Sequence, residues 1–159
     1  MAYRIGMGVD FHQLKEGRDL WLGGIKIPHT KGAVGYSDAD TLLHAICDAL
    51  LGALSLGDIG VHFPDTDHAY KNIDSKILLE KTIALIKSEG YSLVNIDTTI
   101  CLQHPKIKPY TEQMRKVIAG IAGITEKDIS IKATTTEQMG FVGREEGLTA
   151  HAVVLLERV

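Results

Sequence analysis

Three residues of this 159-residue chain have the types and the spacing of metal ligands. Asp10 and His12 lie two positions apart, and His44 follows further along the chain. Two nitrogen donors and one oxygen donor leave a tetrahedral zinc ion one position short, and an open position is typical of catalytic rather than structural zinc. The trio therefore predicts a catalytic zinc site.

A second polar group lies far downstream, in the segment Ala133-Thr134-Thr135-Thr136-Glu137. Its hydroxyl groups and its carboxylate suit phosphate oxygens and a hard cation such as magnesium. Arg144 follows, flanked by Gly140 and Gly143, and this arrangement resembles a phosphate clamp. The two groups together predict a two-metal site that acts on a phosphorylated substrate.

Each of these residues also has an ordinary structural interpretation. Asp-x-His alone is more often a strand end with a solvated aspartate and a packed histidine. The threonines are β-branched residues that suit a strand, and Glu137 alone reads as a surface carboxylate. Ser37 alone reads as a helix N-cap, although the free N–H groups of a helix start also suit a phosphate. Only the combination favours the metal site.

The first two ligands need a strand. Residues 3–12 are predicted to form one, and on a strand Asp10 and His12 point to the same face. Residues 20–27 read as a second strand that is broken by a glycine pair, and residues 32–35 read as a loop.

The third ligand needs a helix. One is predicted from about Asp38 to Leu54, with Ser37 as its N-cap. Asp40, His44 and Asp48 form a polar stripe along it. A ligating imidazole needs a partner on its other ring nitrogen, and we expect an aspartate four residues away to supply it.

The remaining pattern predicts an irregular segment at 56–67, helices at 75–89 and 109–119, and strands at 92–102, 129–135 and 148–156. The last strand is apolar on both faces and is predicted to be central. We expect an α/β (α+β) sandwich in a single domain, 1–159, with a mixed sheet of a four-stranded core packed on helices.

Bulk composition excludes several classes of protein. Hydrophobic residues make up 45% and charged residues 23%, and the net charge of −3 argues against a nucleic-acid surface. Cys47 and Cys101 lack a Cys-x-x-Cys spacing, and both read as buried hydrophobes in a reduced setting. No apolar run could span a membrane, and no leader is visible, so we expect a soluble cytoplasmic protein without a membrane partner.

The motifs, taken in order, resemble those of the 2-C-methyl-D-erythritol 2,4-cyclodiphosphate synthase family of the non-mevalonate isoprenoid pathway. The resemblance covers nearly the whole chain without a large insertion, so it is highly specific. The matching stretches are Gly8-Val9-Asp10-Phe11-His12, Ser37-Asp38-Ala39-Asp40 with His44, Asp48-Ala49-Leu50-Leu51-Gly52-Ala53, Leu56-Gly57-Asp58-Ile59-Gly60, Phe63-Pro64-Asp65-Thr66-Asp67, Pro105-Lys106, and Lys132-Ala133-Thr134-Thr135-Thr136-Glu137 with Gly140-Phe141-Val142-Gly143-Arg144.

This resemblance implies a homotrimer with active sites between adjacent subunits. It implies that Asp10, His12 and His44 bind one zinc ion per subunit, with a substrate phosphate oxygen as the fourth ligand. It also implies that Glu137 helps to hold a magnesium or manganese ion that bridges the substrate diphosphate, and that Thr135 is a catalytic residue.

The resemblance also assigns the substrate contacts. The methylerythritol pocket would consist of Asp58, Ile59, Gly60, Phe63, Pro64, Asp65, Thr66 and Asp67. The cytidine site, contributed by the neighbouring subunit, would consist of Leu102, Gln103, His104, Pro105, Lys106, Ile107 and Lys108. The further nucleotide and phosphate contacts would be Ser37, Thr134, Thr135, Thr136, Glu137, Phe141 and Arg144.

The implied reaction is that of a phosphorus–oxygen lyase. The 2-phosphate of 4-diphosphocytidyl-2-C-methyl-D-erythritol 2-phosphate attacks the β-phosphorus of its own diphosphate, and CMP leaves. No protein nucleophile is needed, because the task is to fold a polyanion into an in-line pose and to neutralise its charge.

Two positions depart from the family pattern. Tyr36 stands where the family usually has a histidine that is thought to stabilise the transition state, so we expect activity with an altered rate or pH profile. His151 stands where some members place a glutamate facing the trimer axis, which leaves any ligand of a central channel open. Arg144 and Glu146 are expected to form a pair there.

Two other functions remain open from the sequence. A zinc phosphohydrolase would use the same ligands, but water would attack and the product would be linear. A catalytically impaired trimeric nucleotide-binding protein is suggested by Tyr36, and the intact ligand trio with Glu137 argues against it.

Overall fold

The fold is built on a five-stranded mixed sheet, which a computed structural model describes over residues 2–159. The strand order is β4-β1-β7-β5-β6, and only β5 and β6 are parallel. The predicted central position of the last strand is confirmed, and the sheet has one strand more than predicted. The strands are β1 (Tyr3–Glu16), β4 (Lys31–Val34), β5 (Tyr91–Cys101), β6 (Ile129–Thr134) and β7 (Gly147–Arg158), with β2 (Leu20–Leu22) and β3 (Ile25–Ile27) in a separate hairpin.

Helices cover one face of this sheet, as predicted for an α+β sandwich. Helix α1 packs against β1 and β7, and α3 packs against α1 and α4. The helices are α1 (Thr41–Ala53), α2 (Ile59–His62), α3 (Ser75–Ser88), α4 (Thr111–Ala122) and α5 (Gly140–Gly143). None of the helices within residues 2–159 is long and apolar enough to cross a bilayer.

Strand β1 and helix α1 touch backbone to backbone. A Cβ atom at Gly6 would lie 1.9 Å from the carbonyl oxygen of Ala49, and one at Gly8 would lie 1.9 Å from that of Ala45. No side chain fits in such a gap, so glycine at both positions allows the helix to lie directly on the strand. This close approach brings a helix residue within reach of the end of β1.

The start of α1 differs from the prediction. Asp40, rather than Ser37, is the N-cap, and its carboxylate accepts from the backbone N–H of Leu43 at 3.0 Å. Ala39 has a left-handed φ of 58°, which prevents a helix from running through it. The predicted helix from Asp38 therefore begins three residues too early.

The buried carboxylate of Asp40 also holds the β2–β3 hairpin. It accepts from the backbone N–H groups of Gly23 at 3.0 Å and Gly24 at 2.7 Å, where the predicted strand is broken as expected. The predicted loop at 32–35 is wrong, because residues 31–34 form β4 against β1. A Cβ at Gly32 would lie 2.1 Å from the Asp19 carbonyl oxygen, so this glycine permits close packing rather than a turn.

An exposed apolar patch lies on the sheet face opposite α1 in the single chain. Gly6 and Gly8 face the helix, so the alternate residues Ile5 and Met7 face away, and their exposed fractions are 71% and 67%. Val153 pairs with Met7 in register and is also exposed. Monomeric proteins rarely expose a large apolar patch of this kind to solvent.

The two cysteines differ in environment. Cys47 is fully buried, as predicted, and burial raises the pKa of its thiol to about 12. Cys101 is only half-buried at the end of β5, so the prediction that it is a buried hydrophobe is wrong.

Candidate functional site

The three predicted zinc ligands lie together. One donor atom each from Asp10, His12 and His44 falls within 4.8 Å of the others, and no other such group of three occurs among residues 2–159. Asp10 Oδ2 lies 2.8 Å from His12 Nδ1 and 3.4 Å from His44 Nδ1, yet this buried oxygen makes no aligned hydrogen bond. An oxygen that is buried, unsatisfied and flanked by two imidazole nitrogens fits a metal cation.

Asp10 and His44 each shift the pKa of the other in favour of the charged form. Burial alone would raise the pKa of Asp10, but the adjacent rings of His12 and His44 outweigh burial and hold the pKa below its ordinary value. Burial alone would lower the pKa of His44, but Asp10 outweighs it and raises the pKa. A metal ion that binds here replaces a proton on His44.

The second ring nitrogen of His44 contacts hydroxyl groups. Its Nε2 lies 3.1 Å from Ser37 Oγ and 2.9 Å from Ser75 Oγ. The predicted aspartate partner is therefore wrong. The carboxylate of Asp40 caps α1, and that of Asp48 accepts from the backbone at the start of α2 at 2.8 Å.

Burial makes Asp40 unusual among the carboxylates. The absence of solvent raises its pKa to about 6, against the opposing effect of three backbone N–H donors. Its three hydrogen bonds join the start of α1 to the β2–β3 hairpin, which explains why this residue serves the fold rather than the metal ligands.

A cavity of about 340 Å³ opens above the ligand trio. It contains six of the residues that were predicted for substrate binding or catalysis, besides the three ligands. The lining residues are Asp10, Phe11, His12, Tyr36, Ser37, His44, Ile59, Gly60, Phe63, Asp65 and Leu78. This is the metal cavity.

One wall of the metal cavity is formed by α2 with Phe63 and Asp65 after it, and aspartates cap both α2 and the 3₁₀ turn that follows. Asp58 caps α2 by accepting from the N–H of Val61 at 3.1 Å. Asp67 caps the 3₁₀ turn His68–Tyr70 by accepting from Ala69 at 2.9 Å. Four residues that were predicted for the methylerythritol pocket do not line the cavity, and they are Asp58, Pro64, Thr66 and Asp67.

Tyr36 ties the edge of the metal cavity to this wall. Its hydroxyl group donates to the carbonyl oxygen of Asp67 at 3.2 Å, and its own carbonyl oxygen accepts from Asn72 at 2.8 Å. The single hydrogen bond that Tyr36 can donate is therefore engaged with the wall in this structure.

A second cavity of about 140 Å³ lies towards the other edge of the sheet, beside β5 and β6. It joins most of the predicted cytidine residues to two of the predicted threonines. The lining residues are Leu102, Pro105, Lys106, Ile107, Lys108, Ala133, Thr134 and Thr135. Gln103 and His104 lie beside it rather than in its lining, and Gln103 Oε1 accepts from the N–H of Gln138 at 3.3 Å. This is the nucleotide cavity.

The threonine hydroxyl groups make local contacts. Thr134 Oγ1 donates to the Thr135 carbonyl oxygen at 2.9 Å, and Thr136 Oγ1 donates to that of Met139 at 2.6 Å. Thr135 Oγ1 accepts from the N–H of Glu137 at 3.2 Å. The carboxylate of Glu137 is exposed and belongs to no cluster of three metal donors among residues 2–159.

Arg144 forms the predicted pair with Glu146. The distance from Arg144 Nε to Glu146 Oε1 is 2.8 Å, and this contact raises the pKa of the arginine and lowers that of the glutamate. The predicted phosphate-clamp residue therefore faces a carboxylate in the single chain. The ring of Phe141, also predicted for nucleotide contacts, is tilted by 39° to that of Phe11, with the ring centroids 6.1 Å apart.

The two cavities are far apart within one chain. Phe11, Thr149, Cys101 and Thr134 are successive partners across β1, β7, β5 and β6. Three steps between strands amount to about 14 Å. One chain thus holds two separated halves of the predicted site.

Four residues that line the metal cavity or contact a ligand were not predicted: Phe11, Thr41, Ser75 and Leu78. Ser75 contacts His44 from the first turn of α3, and Leu78 completes the cavity one turn later. Their contribution depends on how α3 docks on α1, and the sequence offers no local signal for that beyond a polar residue at a helix start.

Relatives of this chain carry a consistent name. The sequence matches the YgbB family over residues 3–157. The 2-C-methyl-D-erythritol 2,4-cyclodiphosphate synthase of Bacteroides thetaiotaomicron is 60% identical over 158 residues, which are 99% of each protein. The protein of the same name from Syntrophomonas wolfei is 53% identical over 155 residues, which are 98% of this chain and 99% of that protein.

Solved structures share the fold. A structure of 2C-methyl-D-erythritol-2,4-cyclodiphosphate synthase gives a TM-score of 0.90 at 37% identity, over 97% of this chain and 100% of the other. The Plasmodium falciparum IspF in complex with CDP gives 0.87 at 34% identity, over 99% and 97%. The bifunctional IspDF of Campylobacter jejuni gives 0.95 at 40% identity, and the match spans 99% of this chain but only 43% of the bifunctional protein. Sequence and fold agree along nearly the whole length, and the chain belongs to the YgbB family.

Proposed function

We propose that this chain is a 2-C-methyl-D-erythritol 2,4-cyclodiphosphate synthase. It converts 4-diphosphocytidyl-2-C-methyl-D-erythritol 2-phosphate to 2-C-methyl-D-erythritol 2,4-cyclodiphosphate and CMP. The observation that carries the proposal is the trio of Asp10, His12 and His44 at the base of the metal cavity, in a chain that is 60% identical to a protein of that name.

The metal ions are assigned by donor chemistry. Asp10, His12 and His44 would hold zinc, because two imidazoles and one carboxylate suit zinc better than magnesium. Glu137 would help to hold magnesium or manganese on the substrate diphosphate. When bound, such ions polarise phosphate oxygens and offset the negative charge of the reacting groups.

The substrate supplies its own nucleophile. An oxygen of the 2-phosphate bonds to the β-phosphorus, the bond from that phosphorus to the oxygen bridging the α-phosphorus breaks, and CMP leaves with the bridging oxygen. The protein has to hold a flexible polyanion in line and keep water away, which the metal cavity and its wall of residues 59–65 would do. We also propose that Thr135 and Tyr36 are catalytic residues.

The complete site would require more than one copy of the chain. The metal cavity and the nucleotide cavity lie about 14 Å apart along one sheet, which favours a site assembled from halves on neighbouring subunits. The exposed apolar face with Ile5, Met7 and Val153 supports assembly, because a monomer rarely leaves such a surface open. We propose a homotrimer in which each 159-residue chain is a single domain.

Phosphorus NMR of the purified protein with substrate, zinc and magnesium tests the function directly. A cyclic diphosphate with an equimolar amount of CMP is the expected result. A linear phosphate product would instead identify a phosphohydrolase, and binding of CDP without turnover would identify a nucleotide-binding protein.

A further inference from the structure

Ser75 is a buried hydroxyl residue behind the metal centre. It has no exposed surface, and its Oγ lies 2.9 Å from Nε2 of His44, on the side of the ring away from Asp10. The same hydroxyl group makes a short hydrogen bond to Oδ1 of Asp38. A chain of contacts thus runs from Asp38 through Ser75 to the ligand His44.

The direction of these hydrogen bonds follows from the single proton of the Ser75 hydroxyl group. The Ser75 hydroxyl donates its single proton to Asp38 Oδ1. The Ser75 oxygen can then only accept from His44, which requires the ring proton on Nε2. Ser37 Oγ, 3.1 Å from the same nitrogen, can accept the same N–H as a second partner. A neutral ring with its proton on Nε2 has its lone pair on Nδ1.

We propose that Ser75, supported by Asp38, is a positioning residue that fixes the tautomer and orientation of His44 for metal binding. In that tautomer the lone pair of Nδ1 faces Asp10, whose Oδ2 lies 3.4 Å away. The inference deepens the proposed zinc site and rests on it. The Asp38 carboxylate, acting through the Ser75 hydroxyl, would also make Nδ1 of His44 a stronger metal ligand.

Hydrogen bonds from backbone N–H groups hold the Asp38 carboxylate next to Ser75. Asp38 Oδ2 accepts from the backbone N–H of Ser75 at 3.0 Å, so one carboxylate binds both polar groups of the serine. Asp38 Oδ1 also accepts from the N–H of Asp40 at 3.1 Å, which connects the start of α3 to the start of α1. Ser75 is therefore held by two contacts that do not involve the metal centre.

Zinc affinity is the first test. Substitution Ser75→Ala should weaken zinc binding by roughly 10–100-fold, the range typical for loss of a residue that orients a ligand. Competition with a chromophoric chelator measures this. Thr82→Val is the matched control, since Thr82 is a buried hydroxyl residue of the same helix that donates to Leu78 at 2.8 Å and touches no ligand. Unchanged affinity in Ser75→Ala, or an equal loss in Thr82→Val, would overturn the proposal.

The tautomer of His44 gives a second test that does not require metal or activity. Two-bond nitrogen–proton correlation NMR of the metal-free protein at alkaline pH should show the proton on Nε2. Asp38→Ala removes the acceptor and frees the Ser75 hydroxyl to donate to His44, so the spectrum should shift towards the form protonated on Nδ1. A wild-type His44 protonated on Nδ1 would refute the inference. If the tautomer is as expected but no cyclic product forms, the synthase assignment fails while the positioning role stands.

Discussion

Asp10 carries the charge around which the metal centre is arranged. Its Oδ2 has an imidazole nitrogen on each side, and the two histidines come from different elements, β1 and α1. In the metal-free protein, Asp10 stabilises the protonated form of His44. A proton and a metal ion therefore compete for the same ring nitrogen. The pH dependence of the site follows from that competition.

Zinc binding should release a proton. Asp10 raises the pKa of His44, so the stabilisation from this pair in the metal-free protein is complete below about pH 6.5, the ordinary pKa of histidine, and is lost as pH rises through the raised value. Zinc affinity should accordingly decrease as pH falls through that raised pKa. Calorimetry at pH 6.5 in two buffers with different ionisation enthalpies measures the proton, and equal heats in both buffers would contradict the expectation.

His44→Ala should abolish zinc binding and turnover. Removing one of three ligands should reduce zinc affinity by more than the roughly 10–100-fold that follows loss of an orienting residue. Circular dichroism and the elution volume should stay unchanged. His62→Ala is the control, since His62 contacts the carbonyl oxygen of Leu56 and no metal ligand. Retention of zinc and rate in His44→Ala would show that the ligand assignment is wrong.

Tyr36→His should change kcat or its pH profile. A histidine there can carry a positive charge near neutral pH, and a tyrosine side chain has no group that can do so. Tyr36→Phe is the companion variant, because it removes only the hydrogen bond to Asp67. We expect it to change KM by about 10-fold or less, in line with a net hydrogen bond of about 1 kcal/mol. Identical kcat and pH profiles for wild type and Tyr36→His would refute a catalytic role at this position.

Helix α1 lies closer to β1 than any side chain would permit, and this contact sets the position of His44 relative to Asp10. Gly6→Ala would place a Cβ 1.9 Å from the Ala49 carbonyl oxygen and should reduce the free energy of unfolding by about 3 kcal/mol or more. Gly120→Ala, at an exposed position of α4 with open space around it, should increase it by about 0.5–1 kcal/mol. Urea unfolding measures both, and a similar change in the two variants would contradict the packing argument.

The elements show which features a sequence can predict. Asp10, His12 and the helix with His44 were predicted because side-chain type and period are local signals. The start of that helix was misplaced because Asp38 contacts Ser75, far away in sequence, and Ala39 adopts a left-handed φ. Strand β4 was missed because a glycine that permits close packing looks like a turn residue.

The whole molecule presents two cavities and one exposed apolar patch. The predicted contacts divide between the metal cavity and the nucleotide cavity, a division that depends on strand order and that no local pattern reveals. The five-stranded order places the two cavities towards opposite edges of the sheet. In the proposed homotrimer, the two cavities of neighbouring subunits would work together.

Mixed oligomers should test that assembly. His44→Ala damages the metal cavity and Thr135→Ala the nucleotide cavity, and each variant alone should be inactive. If each site combines halves from two subunits, random mixing leaves both halves intact in about one quarter of the sites, so about a quarter of wild-type activity should return. Native mass spectrometry confirms that mixed oligomers form. Mixed but inactive oligomers would place the whole site within one chain.

The glycine contact between β1 and α1 also limits how this chain can diverge. A substitution at Gly6 or Gly8 meets a main-chain carbonyl group, which no change of a neighbouring side chain can remove. Accommodation would require α1 to move, and moving α1 carries His44 away from the strand ligands. Mutational drift at these two positions is therefore blocked by the metal centre, although neither glycine supplies a donor atom to it.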